Sequence, residues 1–184
     1  MINFTALIDH NLPKERLHSL PALLNSRWHE INHFLPVFDG DPVDGGVWCW
    51  GHTGLETLSQ ALENAERIPL EAPDFIGCVG KYSLSLCHST RWRTFVEEDE
   101  FRRKLRGICT HIARVLGSNR IVYVPDSGSN LESGAYWMVR ESKSIVEIME
   151  LLSTHCGPPA ASIEAIKDNP KYHISGAGYY VDEL

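Results

Sequence analysis

Residues 97 to 124 read EEDEFRRKLRGICTHIARVLGSNRIVYV, and the fold class turns on how this stretch is read. Phe101, Leu105, Ile108, Ile112 and Val115 recur at helical spacing, which predicts a helix over 97–116 with one apolar face. Its first turn is acidic (Glu97, Glu98, Asp99, Glu100), which suits the positive end of a helix dipole. Gly117 supplies the stop. Arg120 to Val124 follows as a short apolar run of the buried-strand type, closed by Pro125. A long amphipathic helix feeding directly into a buried strand calls for a sheet with helices packed on it.

The segments on either side extend this pattern. Cys78 to His88 reads as one strand, with Tyr82, Leu84 and Leu86 alternating against Lys81, Ser83 and Ser85. Ala135 to Val139 reads as another strand. Ser142 to His155 reads as a helix with Ile145, Ile148, Met149 and Leu152 inward, closed by Gly157-Pro158-Pro159. A short helix over 162–167 and a last strand over 178–181 complete the series. The order from residue 78 on is strand, helix, strand, strand, helix, strand. This predicts an α+β fold: an antiparallel sheet with helices on one face, in the ferredoxin-like βαββαβ order.

Upstream, Ile2 to Ile8 is a short strand. A helix starts at Ser19, carries Leu20, Leu24, Trp28, Ile31 and Leu35 on one face, and is stopped by Pro36. Residues 39–46 form a loop by composition, and Val47 to Trp50 is a short strand or an aromatic plug. Thr53 to Arg67 is a second helix, and the two prolines between Ile68 and Phe75 make that segment a connector. The expected organisation is a single domain over 1–184, with 1–76 a mainly helical extension on an α+β core at 77–184.

Composition narrows the function. The 184 residues carry 17 basic and 24 acidic side chains, a net charge of −7, which argues against a protein that coats nucleic acid or an anionic membrane. It permits a basic partner. Five cysteines with no C-x-x-C pair form neither a disulfide framework nor a zinc ribbon; reduced, mostly buried thiols in a cytoplasmic protein are expected. Met1 to Pro13 has no basic, apolar signal-peptide pattern, and no run approaches the roughly 18 apolar residues of a membrane span. No Walker A loop and no G-x-G-x-x-G string occurs.

One string names a chemistry. His29-Glu30-Ile31-Asn32-His33 has the H-E-x-x-H spelling of zinc metalloproteases, in which two histidines four apart on a helix grip the metal and the glutamate activates water. The helical wheel argues against it here. The apolar stripe centres near Ile31, so His29 and His33 fall on the polar side of the predicted helix. No third ligand follows before Pro36, although Glu56 or Glu63 of the next helix would serve in principle. Charged Arg27 also sits where such enzymes carry a smaller or apolar residue. A solvated helix face is the expectation, with zinc bound by His29 and His33 as the minority alternative.

Three further features carry candidate residues. Asp39, Asp41 and Asp44 lie on a glycine-rich loop, but the calcium-loop register fails, since Val43, Asp44 and Trp50 occupy positions that need an oxygen ligand, a glycine and a glutamate. They are candidates for docking a basic partner instead. Asp126 and Ser127 follow a buried strand, where loops often carry function, and are the candidate catalytic pair of a hydrolase, although no G-x-S-x-G elbow is present. Trp92, between Arg91 and Arg93, is a candidate interface anchor. Arg102, Arg103, Lys104 and Arg106 read as the solvent face of the long helix.

These readings converge on a non-enzymatic, cytoplasmic protein-binding protein without a cofactor. In general character the chain looks like the small, acidic immunity proteins with which bacteria neutralise their own toxins, which implies a basic toxin domain as partner. No motif carries that comparison, which rests on class alone. The alternative is a hydrolase, either zinc-dependent through His29, Glu30 and His33 or built on Asp126 and Ser127.

Overall fold

The computed structural model describes residues 2–27, 48–51, 60, 68–72, 75–126, 134, 138–139, 143–172 and 178–184. Among the described residues seven strands form one sheet: β1 (Asn3–Asp9), β2 (Cys49–Trp50), β3 (Ile68–Ala72), β4 (Phe75–Val79), β5 (Ser83–Arg91), β6 (Arg120–Asp126) and β7 (Tyr180–Glu183). Their spatial order is β2-β3-β4-β5-β1-β6-β7, and every neighbouring pair is antiparallel. The described helices are α1 (Lys14–His18), α2 (Leu20–Ser26), α3 (Trp92–Glu97), α4 (Asp99–Leu116), α5 (Ile145–Cys156) and α6 (Ile163–Lys167). The α+β class and the antiparallel sheet are as the sequence predicts.

The ferredoxin-like order is not what forms. β1 lies inside the sheet, pairing along its length with β5 on one side and β6 on the other, so the first residues of the chain belong to the core. Its weak alternation has a physical cause. Phe4, Ala6 and Ile8 enter one hydrophobic cluster while Leu7 enters another, so both faces of the strand are buried and no polar face is needed.

Helices cover both faces of the sheet, not one. The larger cluster joins Phe4, Ile8, Leu84, Leu86, Ile121 and Tyr123 of the sheet to Leu105, Ile108 and Ile112 of α4, Trp92 and Phe95 of α3, and Leu20 and Leu24 of α2. On the opposite face Leu7, Val122 and Val124 meet Ile145, Ile148 and Leu152 of α5, together with Tyr179. Ser144 starts α5 with a capping box. Its hydroxyl accepts from the Glu147 backbone N–H while the Glu147 carboxylate accepts from the Ser144 N–H at 2.8 Å.

Four local expectations are corrected. The segment expected as one strand over 78–88 is a hairpin, β4 and β5, turning at Gly80, whose N–H donates to the Ser83 carbonyl at 2.8 Å. A Cβ at Gly80 would lie 2.5 Å from the Val139 carbonyl oxygen, so close backbone approach is what requires glycine there. The expected connector from Ile68 is strand β3. Its Pro69 is tolerated because the position's missing N–H points toward the two-residue β2, where the Pro69 carbonyl still accepts from Gly51 N–H at 3.0 Å. Met138 and Val139, expected at the end of a strand, are helical, and Lys143 N–H closes back on the Met138 carbonyl at 3.0 Å; a short apolar run serves a buried helix as well as a strand. Glu97 ends a separate short helix, α3, so that α4 begins at Asp99.

Of the predicted helix over Thr53 to Arg67 the described residues include Gln60 alone, which is helical, and the loop at 39–46 lies outside the described residues. No described helix is long and apolar enough to cross a membrane.

Candidate functional site

The described surface is organised by how its charges are layered, and this is clearest at the start of α4. The carboxylates of Asp99 and Glu100 fall three and four residues before Arg102 and Lys104, the spacing at which side chains meet on a helix. Lys104 Nζ donates to Glu100 Oε1 at 2.8 Å, and Arg102 Nη2 donates to Asp99 Oδ1. Arg102 also donates through Nη1 to the Val96 carbonyl at 2.6 Å, closing the end of α3, and through Nη2 to Glu164 Oε1 of α6 at 3.3 Å. One guanidinium therefore ties together α3, α4 and α6.

The cations sit beneath and the carboxylates project. The Arg102 and Lys104 side chains are 13% and 19% exposed, whereas Asp99 is 89% exposed and Glu100 and Glu164 are each 67% exposed. Arg102 shares its single charge between two carboxylates, and Glu98 is exposed beside them at the head of α4. In each of these pairs the carboxylate is the more exposed partner, while exposed Arg103 stands close enough to act on Glu100. The Glu164 carboxyl is held below the usual carboxylate range by its own backbone N–H and the Ser162 hydroxyl, with Arg102 adding to the effect. The Lys104 ammonium does the same for Glu100. Both stay ionised wherever carboxylates ordinarily are.

The residues singled out by sequence are distributed differently. Trp92 opens α3 with its ring 1% exposed, stacked on Phe95 at 5.3 Å between ring centres, so it serves the core and presents no surface. Arg102, Lys104 and Arg106, expected on the solvent face, are each engaged by a carboxylate; Arg103 is the exposed cation of that group. Asp126 is the last residue of β6 and lies opposite Asn3 in the ladder.

The helix expected to run unbroken from Ser19 to Pro36 ends at Ser26, with Arg27 as its cap. The Ser26 hydroxyl donates to the Leu23 carbonyl at 2.8 Å. Asn25 turns aside to bind Trp48 through both its backbone groups, at 2.9 and 2.8 Å. His29, Glu30 and His33, Asp39, Asp41 and Asp44, and Ser127 lie outside the described residues. Among the described residues no group of three His, Cys, Asp or Glu side chains is placed to hold a metal ion. None of the five cysteines is in a disulfide: Cys78 and Cys109 are buried, Cys49 and Cys156 exposed, Cys87 between.

Sequence reasoning registered Glu98, Asp99 and Glu100 only as a dipole-matching first turn, and missed Glu164. The i to i+3 and i to i+4 spacing to Arg102 and Lys104 was the available signal for the first layer. The meeting of α4 with α6 is a tertiary contact between residues 62 apart and has no local signature. Compared with protein-family models, curated proteins and solved structures, the chain matches none.

Proposed function

We propose that this chain is a non-catalytic, cytoplasmic protein-binding protein that docks a basic partner on the face formed by the start of α4 and by α6. An immunity-type inhibitor, capping a basic toxin domain, is the form of that function its acidic character fits. The observation that carries the reading is the layering of charge: cations 13% and 19% exposed lie under carboxylates 67% to 89% exposed. Such a face steers a positively charged partner and repels acidic ones, and the buried ends of the ion pairs hold the carboxylates in place before docking. The net charge of −7 adds a field of the same sign.

Affinity capture from the cells that make the protein tests this reading. The expected outcome is a co-purifying protein with an excess of lysine and arginine, retained by the wild type and lost by the Asp99→Lys, Glu164→Lys double variant. Both positions are more than half exposed, so the variant keeps its core. Capture that survives the double charge reversal, or an acidic captured partner, would contradict the proposal.

A further inference from the structure

A cleft of about 430 Å³ lies at the opposite end of α4, and its charge is the reverse of the face just described. Asn11, Leu12 and Pro13 after β1, Arg16 of α1, Leu23, Ser26 and Arg27 at the end of α2, and the last turn of α4 from Arg114 to Gly117 form its walls. Three guanidiniums line it in a protein whose net charge is −7. None of the three makes an ion pair or a side-chain hydrogen bond with another described residue, and all three residues are exposed. Elsewhere Arg93, Arg102, Arg106 and Arg120 each hold a carboxylate. The carboxylates closest in sequence, Asp9 and Glu15, do not line the cleft.

The helix itself accounts for only part of this charge. Arg114 stands in the last turn of α4, where a cation offsets the carbonyl end of the dipole. That end amounts to about half an elementary charge, against three guanidiniums. Gly117, left-handed at φ 70°, turns the chain so that the Ser118 N–H caps the Ala113 carbonyl at 2.8 Å, which satisfies one of the orphan carbonyls without a cation. Arg16 and Arg27 are left with no counter-charge in the described structure.

We propose that this cleft binds a small molecule bearing linked phosphate groups. Guanidinium groups pair with phosphate oxygens in a two-pronged geometry, and two joined phosphates place about three negative charges within the reach of one cleft. Three separate carboxylates would need more room for the same charge. Leu12, Leu23 and Val115 give an apolar wall for the uncharged body of such a ligand. The volume lies within the range of small-molecule sites, about 300–1,000 Å³. This inference is independent of the partner-binding face, which draws on other residues at the other end of α4.

Calorimetric titration of the full chain with sodium pyrophosphate, at constant ionic strength, tests it. The expected result is saturable binding at one site, weakened about tenfold or more by the Arg16→Gln, Arg27→Gln double variant. Arg114→Gln weakens it as well, while Arg103→Gln, an exposed cation outside the cleft, leaves it unchanged. All these side chains belong to exposed residues, and circular dichroism establishes that each variant is folded. No saturable binding by the wild type overturns the proposal, as does equal binding by a folded Arg16→Gln, Arg27→Gln variant. Citrate bound as tightly as pyrophosphate overturns the assignment to phosphate. Asp99→Lys, Glu164→Lys leaves pyrophosphate binding intact, so a failure of the partner reading is told apart from a failure of this one.

Discussion

His88 shows how one side chain couples this fold to pH. It sits on β5, 3% exposed, with its ring 4.5 Å from that of Phe75. The Thr90 backbone N–H donates to Nδ1 at 2.9 Å, which places the proton of the neutral ring on Nε2. Burial pushes its pKa down to about 4 from an ordinary 6.5. The unfolded chain takes up a proton as pH falls through 6.5, and the folded chain does not until about 4, so stability is highest above that window and falls on acidification within it. Urea unfolding at pH 7 and pH 5 is expected to show a loss of about 2 kcal/mol from this residue. The His88→Gln variant, folded at pH 7, should show a shallower dependence by that amount. His10, lowered by burial despite its Nε2 contact at 2.9 Å with the Gly80 carbonyl, contributes a slope of the same sign that persists in the variant. An unchanged slope in His88→Gln would contradict this account.

Among the elements, β7 asks most clearly what holds it. It is a four-residue edge strand paired only with β6 among the described strands. Its attachment to α4 is the Arg106–Asp182 pair, two parallel bonds of 2.9 and 2.6 Å, with Asp182 9% exposed and Arg106 39%. The Arg106 guanidinium also lies over the Tyr180 ring, 5.6 Å from its centre. Arg120 to Glu183 at 2.7 Å and the Leu184 N–H to the Asn119 carbonyl at 2.8 Å fasten its far end. Because Arg106 is partly hydrated, the coupling is smaller than that of a fully buried pair. A double-mutant cycle over Arg106→Gln and Asp182→Asn should give about 1–2 kcal/mol, and Asp182→Asn alone should speed amide exchange across Tyr180–Glu183. A coupling energy near zero, with exchange unaltered, would contradict this role for the Arg106–Asp182 pair.

Legibility also differs by element, for physical reasons. α4 was readable because Leu105, Ile108 and Ile112 recur at helical spacing within a helix of about five turns and Gly117 marks the end. β6 was readable as a short apolar run against a proline. The hairpin at Gly80 was not, because alternation continues through the turn and the glycine's requirement, the Val139 carbonyl, comes from 59 residues away. β3 was hidden by Pro69, whose missing donor only the neighbouring two-residue strand makes tolerable. β1 was weak as a strand because Leu7 and Phe4 face different cores.

At the scale of the whole molecule, α4 sets out the charge. Its 18 residues span about 27 Å, with exposed carboxylates at the start and, in the cleft at the end, guanidiniums that pair with no described carboxylate. That polarity follows the helix dipole, which favours anions at one terminus and cations at the other. Net charge alone conveyed the sign of the molecule but not this division. The architecture was legible as far as class, an antiparallel sheet with helices. Strand order was not, because β1 enters between β5 and β6 from the far end of the chain, and both faces of the sheet acquire a helical layer. The candidate site was legible only in its first layer, since the Arg102 contact to Glu164 depends on where α6 lands.

The dissociation constant of the captured partner, measured against salt for the wild type and for Asp99→Lys, Glu164→Lys, tests the central claim most directly. The account predicts an affinity for the wild type that weakens as salt rises, a roughly tenfold or greater loss on double charge reversal, and a weakened salt dependence in the variant. The same affinity and the same salt dependence in both proteins would contradict it.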